Sequence, residues 1–187
     1  MITIVSGLPR SGTSMMMQML KLGGIEPFID NIRTPDEDNP KGYFEYEKVK
    51  KLKIDNSWLE DAEGKSIKII SQLLSNLPSE YNYKVIFMRR DMSEILASQQ
   101  KMIERLGTKG ASVSVEALGT IYEKHLTQIT DWLSQSDVFE VVYVDYRDVI
   151  NDASKQVELI CDFLDYPLDS KAMIGAVDRT LYRQKEN

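Results

Sequence analysis

The chain has 187 residues, of which 42% are hydrophobic and 28% are charged, and its formal net charge is −6. This length and composition fit one globular domain with a sizeable core, while the negative charge argues against binding nucleic acid or an anionic membrane through bulk attraction. A single cysteine, Cys161, excludes an internal disulfide, no apolar run approaches the roughly 20 residues of a membrane span, and no signal peptide precedes the first predicted strand, so we expect one cytoplasmic domain over residues 1–187.

The first segment of the chain predicts a short apolar strand, a glycine-containing turn, and a helix over residues 13–22. Gly7 and Gly12 let the backbone curl so that N–H groups point at an anion, and the helix adds its free N–H groups and positive dipole end. Arg10 adds a planar guanidinium that suits phosphate or sulfate oxygens. Thr13, however, stands where the loop of nucleotide triphosphatases has its lysine. We therefore predict a phosphate-binding loop that is poorly equipped for a triphosphate and its metal.

The next segment, residues 25–46, has no helical or strand periodicity and is interrupted by prolines and acidic residues. A loop of this length inside a compact domain is often functional, although a solvated surface loop has a similar composition. We predict that residues 25–46 form a lid or a substrate loop.

Further along the chain, predicted strands alternate with amphipathic helices. The strands are expected at Lys65–Ile70, Tyr83–Met88 and Val138–Val144, and the main helices at 92–106, 115–134 and 153–164. This alternation predicts a three-layer α/β/α fold with a mainly parallel sheet, whose strand ends share one edge. In the second strand, Lys68 either meets an anion or faces water from an edge position.

A second set of basic residues is predicted at the same edge of the sheet. Arg89 and Arg90 directly follow an apolar strand, and Ser98 lies two turns into the next helix. Open α/β sheets bind ligands at the carboxyl ends of their strands. Together with the first loop, these residues predict a ligand that has two separated anionic groups.

Two motifs together resemble those of a known family. The segment Gly7–Ser14 resembles the 5′-phosphosulfate loop of the sulfotransferases, and Val85–Asp91 followed by Ser98 is similar to their 3′-phosphate motif, with arginine and serine eight residues apart. Similarity also covers Val142–Tyr146 with its helix and Asp36–Glu45, so the resemblance spans about residues 2–164. It implies a P-loop-type enzyme that transfers a sulfuryl group from 3′-phosphoadenosine-5′-phosphosulfate (PAPS) to an acceptor hydroxyl or amine. The product would be adenosine 3′,5′-bisphosphate (PAP), and no metal would take part.

The resemblance also implies a role for individual residues. Arg10 would stabilise the bridging oxygen as the sulfuryl group leaves, and Lys68 would neutralise the transferring group. The expected cofactor contacts come from the loop, the second motif and the C-terminal tail: Pro9, Arg10, Ser11, Gly12, Thr13, Ser14, Arg90, Ser98 and Arg183.

The catalytic base is where this sequence departs from the family. Cytosolic members have a histidine just after the second strand, where this chain has Ile69-Ile70-Ser71. Other branches of the family use a glutamate from the segment after the first helix, and this resemblance makes Glu45 our first candidate for the base. A carboxylate can accept a proton when its surroundings raise its pKa. The other candidates are Asp30, Asp36, Asp38, and His125 if its helix lines the cleft.

Two other functions remain open from the sequence alone. One is a P-loop kinase for a small molecule or nucleotide, against which the missing loop lysine counts. The other is a non-catalytic nucleotide-binding module that lacks the base. The expected partner is a small-molecule, glycan or peptide acceptor rather than nucleic acid, and the single histidine gives no reason to expect a metal site.

Overall fold

The protein is built around a four-stranded parallel sheet. The structure is a computed structural model, which describes residues 1–36, 39, 41–106 and 114–182. The strand order is β2-β1-β3-β4. The strands are β1 (Ile2–Gly7), β2 (Ser66–Lys68), β3 (Tyr83–Arg89) and β4 (Phe139–Asp145). Because all pairs are parallel, every strand ends at the same edge of the sheet.

The α-helices are α1 (Thr13–Gly23), α2 (Met92–Leu106), α3 (Val115–Ser134), α4 (Tyr146–Asn151), α5 (Ala153–Leu164) and α6 (Ser170–Gly175). Short 3₁₀ helices cover Glu47–Lys51, Ser57–Ala62, Ser71–Asn76 and Arg179–Leu181. The predicted bounds of α2, α3 and α5 are confirmed, whereas β2 is shorter than predicted and α4 was not foreseen. No helix in the described ranges is both long and apolar enough to cross a bilayer.

The sheet is covered on both faces, as the alternation of side chains requires. On β1, Ile4 packs in one core cluster with α3 and the first three 3₁₀ helices, while the adjacent Val5 packs in a second cluster with α1, α4, α5 and α6. The same alternation on β3 sends Phe87 to the first cluster and Met88 to the second. The predicted three-layer α/β/α fold with a parallel sheet is therefore confirmed.

The alternation also decides the direction of Lys68 at the end of β2. Ile67 and Ile69 belong to the cluster on the α3 face. Lys68 lies between them and points to the opposite face, where its amino group reaches Ser14 of α1. The fold thus brings a lysine from an edge strand to the start of the first helix.

Candidate active site

The loop between β1 and α1 has a backbone that requires its glycines. Gly7 and Gly12 have φ values of 141° and 97°, and Arg10 between them also has a left-handed φ of 71°. A Cβ on Gly7 would lie 2.5 Å from the Met88 carbonyl oxygen, and one on Gly12 would lie 2.4 Å from the Tyr146 ring. The loop is therefore held tightly against β3 and α4, as a loop that curls around a ligand must be.

The donors of this loop fit an anion such as a phosphate or sulfate group. No side chain caps α1, which begins at Thr13, so its first N–H groups and positive dipole end face the loop. The hydroxyl of Ser11 is buried and has no hydrogen-bond partner within the described residues. A buried orphan hydroxyl beside unfilled helix donors is the arrangement that an anion would complete.

Arg10 links the two predicted anion-binding motifs. Its Nε donates a hydrogen bond to Ser98 Oγ at 2.9 Å, and its backbone carbonyl accepts one from Arg90 at 3.1 Å. Burial lowers the pKa of Arg10, while the neighbouring Tyr43 hydroxyl opposes that shift. The sequence placed Arg90 and Ser98 together as an anion anchor, and the structure connects them through Arg10.

A buried carboxylate that the sequence analysis missed orients Arg90. Glu94 is only 2% exposed and accepts hydrogen bonds from Arg90 Nε at 2.8 Å, from Arg147 at 3.1 Å and from the Tyr182 hydroxyl. Burial would raise the pKa of Glu94, but the bonds from Tyr182, Arg90 and Arg147 together hold it below its usual value. The carboxylate therefore stays ionised and fixes the direction of the guanidinium.

Two aromatic rings complete the surroundings of Arg90. Its guanidinium lies 4.4 Å from the centre of the Tyr146 ring and 5.7 Å from that of Tyr182. Glu94 could have been found from its i, i+4 spacing to Arg90, whereas no local signal connects either tyrosine to it. Tyr182 brings the C-terminal tail beside Arg90, and the predicted contact Arg183 lies outside the described residues.

Lys68 faces the loop, so the alternative that it faces water is wrong, although β2 is an edge strand as that alternative supposed. Its side chain is 8% exposed. The amino group donates to the Tyr43 carbonyl and lies 3.2 Å from Glu45 Oε1 and 3.4 Å from Ser14 Oγ. Burial lowers the pKa of Lys68, and the carboxylate of Glu45 opposes this. The ion pair of Lys68 with Glu45 thus holds the ammonium group beside Ser14, at the start of α1.

The described residues of the segment 25–46 lie across this part of the site. Arg33 pairs with Glu45 at 3.1 Å and stacks 3.3 Å from the centre of the Tyr43 ring. Lys41 is bonded to the Ala176 carbonyl at 3.1 Å, on the far side of the site. The segment is thus placed where a lid would be, and its function as a lid stays a prediction.

The remaining candidates for a base have different surroundings. Asp30 accepts hydrogen bonds from the backbone N–H groups of Ile32 and Glu47, so it serves the turn. His125 Nε2 lies 2.9 Å from Ser71 Oγ, and both belong to elements on the α3 face, opposite to Lys68. Asp38 lies outside the described residues.

Two cavities are lined by residues of the site. A cavity of about 650 Å³ extends from Ser11 and Arg90 to Tyr143 and Leu126, and a smaller one of about 220 Å³ lies under the segment that carries Tyr43. Across the part of the chain that the structure describes, no three His, Cys, Asp or Glu side chains are grouped as metal ligands would be.

Comparisons with known proteins identify a family and a fold. A family model described as a sulfotransferase domain matches residues 2–186. Among solved structures, the sulfotransferase domain from the curacin biosynthetic pathway is similar, with 15% identity, a TM-score of 0.55, and coverage of 95% of this chain and 78% of its own. Retinol dehydratase, solved with androsterone and the inactive cofactor PAP, has 13% identity and a TM-score of 0.50, with coverage of 97% of this chain and 64% of its own. No curated protein matches the chain.

At these identities the solved structures establish the fold, and the family model establishes the family. The match runs through both anion-binding motifs and nearly to the end of the chain. The chain belongs to the sulfotransferase domain family.

Proposed function

We propose that this protein transfers a sulfuryl group from PAPS to an acceptor hydroxyl or amine. One observation carries the proposal. The glycine loop and the uncapped start of α1 lie at one edge of the sheet together with three buried or half-buried cations, Arg10, Lys68 and Arg90. PAPS, the sulfuryl donor, has a 5′-phosphosulfate at one end and a 3′-phosphate at the other, and these two anionic groups suit this distribution of cations.

The loop would hold the 5′-phosphosulfate end of the cofactor. The N–H groups at the start of α1 and the hydroxyls of Ser11, Thr13 and Ser14 are the donors for its oxygens, with Pro9 and Gly12 shaping the backbone around them. At the other end, Arg90 and Ser98 would bind the 3′-phosphate, and Arg183 is proposed to join them because the tail reaches Arg90 at Tyr182.

Bound PAPS would supply an activated sulfuryl group, and the side chains would stabilise the charge that moves during transfer. Arg10 would neutralise the bridging oxygen as negative charge builds on the 5′-phosphate. Lys68 would lie beside the transferring group, held there by Glu45. Glu45 as the base stays a prediction, since both of its oxygens already contact Arg33 and one contacts Lys68.

The alternative of a kinase has no support in this geometry, because Thr13 leaves the loop without the lysine that contacts β- and γ-phosphates. We further propose that residues 1–187 act as one domain in the cytoplasm, with residues 25–46 as its lid or substrate loop. The acceptor would be a small molecule, a glycan or a peptide.

Ligand-dependent melting tests the proposal. PAP should raise the melting temperature in the presence of a chelator, by mass action on the folded state, and labelled PAPS should pass its sulfuryl group to a member of an acceptor panel. Stabilisation by ATP with Mg²⁺ but not by PAP would refute the proposal. PAP binding without transfer to any acceptor would favour the non-catalytic module.

A further inference from the structure

The group that takes the proton from the acceptor can be chosen by comparing the carboxylates around the site. Glu45 is paired with two cations, Arg33 and Lys68. The Glu45 carboxylate holds the amino group of Lys68 in place. It is therefore directed at cations rather than at an acceptor. Asp30 is bonded to backbone N–H groups. Glu94 accepts a hydrogen bond from the Tyr182 hydroxyl but is also bonded to Arg90 and Arg147. Among Glu45, Asp30 and Asp36, only Asp36 accepts a hydrogen bond from a side-chain hydroxyl of the site.

That hydroxyl belongs to Tyr43, which lies at the centre of the site. Tyr43 is 4% exposed, and its hydroxyl donates to Asp36 Oδ1 at 2.6 Å. Its carbonyl accepts from Lys68 Nζ and from Ser14 Oγ, and its ring centre is 5.9 Å from Lys68 Nζ. The phenol is therefore within one side-chain length of the groups proposed to hold the sulfuryl donor, and it is already bonded to a carboxylate.

We infer that Asp36 and Tyr43 form the proton-accepting pair of the transfer reaction and that Glu45 instead positions Lys68. This inference rests on the proposed sulfuryl transfer. Tyr43 Oη would touch the acceptor and is the catalytic group in the strict sense, while Asp36 acts through it.

The proton balance of the step is simple. As the acceptor oxygen bonds to sulfur, the bond between sulfur and the 5′-phosphate oxygen breaks, and its electron pair leaves with PAP. The acceptor's proton passes to Tyr43 Oη while the phenol's own proton passes to Asp36. Asp36 is exposed, so it can return that proton to water.

The charges that face the pair keep each group in the required form. Burial and the bond to Asp36 raise the pKa of Tyr43, so the phenol keeps a proton to relay at neutral pH. The same bond lowers the pKa of Asp36, so its carboxylate is ionised and able to accept. The neighbouring charges are Arg33 on the same segment, Arg105 of α2, and Arg10, which interacts with Tyr43.

The test compares Asp36→Asn and Tyr43→Phe with matched controls, using PAPS and the best acceptor from a panel of p-nitrophenol, a primary alcohol, a sugar and an amine. Both variants should lower kcat by about 10²- to 10⁴-fold, the usual contribution of a general base, with the Kd for PAP within about threefold of wild type. Asp36→Glu should recover part of kcat. The controls are Glu47→Gln, a carboxylate paired with Lys50 at the surface, and Tyr46→Phe, whose ring packs on Phe28 and Trp58.

The pH dependence separates this pair from Glu45. The fall of kcat at acid pH should disappear in Asp36→Asn and persist in Glu45→Gln, whose kcat drops by a constant factor. The inference is overturned if Asp36→Asn and Tyr43→Phe keep kcat within about threefold, if Glu45→Gln removes the acid limb, or if mass spectrometry finds the sulfuryl group on Tyr43 itself. A wild-type protein that neither binds PAP nor transfers sulfuryl groups would refute the proposed function as well.

Discussion

Replacing Arg90 by alanine should weaken PAP binding much more than replacing its neighbour Arg89. The Arg90 side chain is 9% exposed, is bonded to Glu94 and to the Arg10 carbonyl, and lies over Tyr146. Arg89 is about half exposed and pairs with Asp145 at the surface. The two residues are adjacent, so the comparison separates the effect of position from that of charge.

The magnitude follows from burial. A charge-assisted contact in a desolvated site contributes about 2–4 kcal/mol, which corresponds to a loss of affinity of about 30- to 700-fold. An exposed pair such as Arg89 with Asp145 contributes at most about 1 kcal/mol, so Arg89→Ala should change the Kd by less than about fivefold.

Isothermal titration with PAP measures both values, and the melting temperature of each unliganded variant shows whether it is folded. Arg90→Lys is a useful third variant, because it keeps the charge and loses the planar guanidinium. An Arg90→Ala protein that is folded and binds PAP with unchanged affinity would remove Arg90 from the site.

Three other predictions concern Gly12 of the loop, Glu45 beside Lys68, and the buried carboxylate Glu94. Gly12→Ala should abolish PAP binding and lower the melting temperature, because φ is 97° and the new Cβ would lie 2.4 Å from the Tyr146 ring; normal PAP affinity in a titration would contradict this. Glu45→Gln should keep the Kd for PAP and lower kcat at least tenfold by releasing Lys68, and full activity in the transfer assay would count against any role for Glu45. The fold lowers the pKa of Glu94, so its carboxylate stabilises the protein at pH values above 4.5, the usual pKa of a glutamate, and this stabilisation is lost as the pH falls through the lowered pKa. Glu94→Gln should therefore flatten the acid side of a plot of melting temperature against pH. An unchanged plot would show that other carboxylates dominate.

The elements that the sequence predicted best are those with strong local signals. The long helices α2, α3 and α5 carry apolar residues at regular helical spacing over three turns or more, and their ends were correct. The loop was recognisable because its glycines have a backbone that other residues rarely adopt. The six-residue helices α4 and α6 are too short for such a pattern, and α4 was not predicted.

The site was only partly predictable, because its remaining contacts join distant parts of the chain. The spacing of Arg90 and Ser98 suggested that they share a ligand, but it could not show Arg10 bonded to both across some 80–88 residues. Nor could it show the Tyr43 carbonyl at Lys68, since the described residues around Tyr43 have an irregular backbone that includes a left-handed Phe44. Periodicity carries no information about such a segment, and only the fold brings it to the loop.

The most buried cations of the site share one feature, which is that each is paired with a carboxylate. The chain has a net charge of −6, yet cations collect at the carboxyl edge of its sheet, and the most buried ones are each bonded to a carboxylate: Arg90 to Glu94 and Lys68 to Glu45. A buried cation without a partner would be costly before a ligand arrives, so these carboxylates stabilise the empty site and fix the direction of each cation. Asp36 and Glu94 each accept a hydrogen bond from a phenol, Asp36 from Tyr43 at 2.6 Å and Glu94 from Tyr182. The Tyr43 ring lies beside Lys68, where we propose that the sulfuryl group is transferred, whereas the Tyr182 ring lies beside Arg90, where we propose that the 3′-phosphate binds. That difference in location is why we assign Glu45 and Glu94 to orientation of cations and Asp36 to proton transfer.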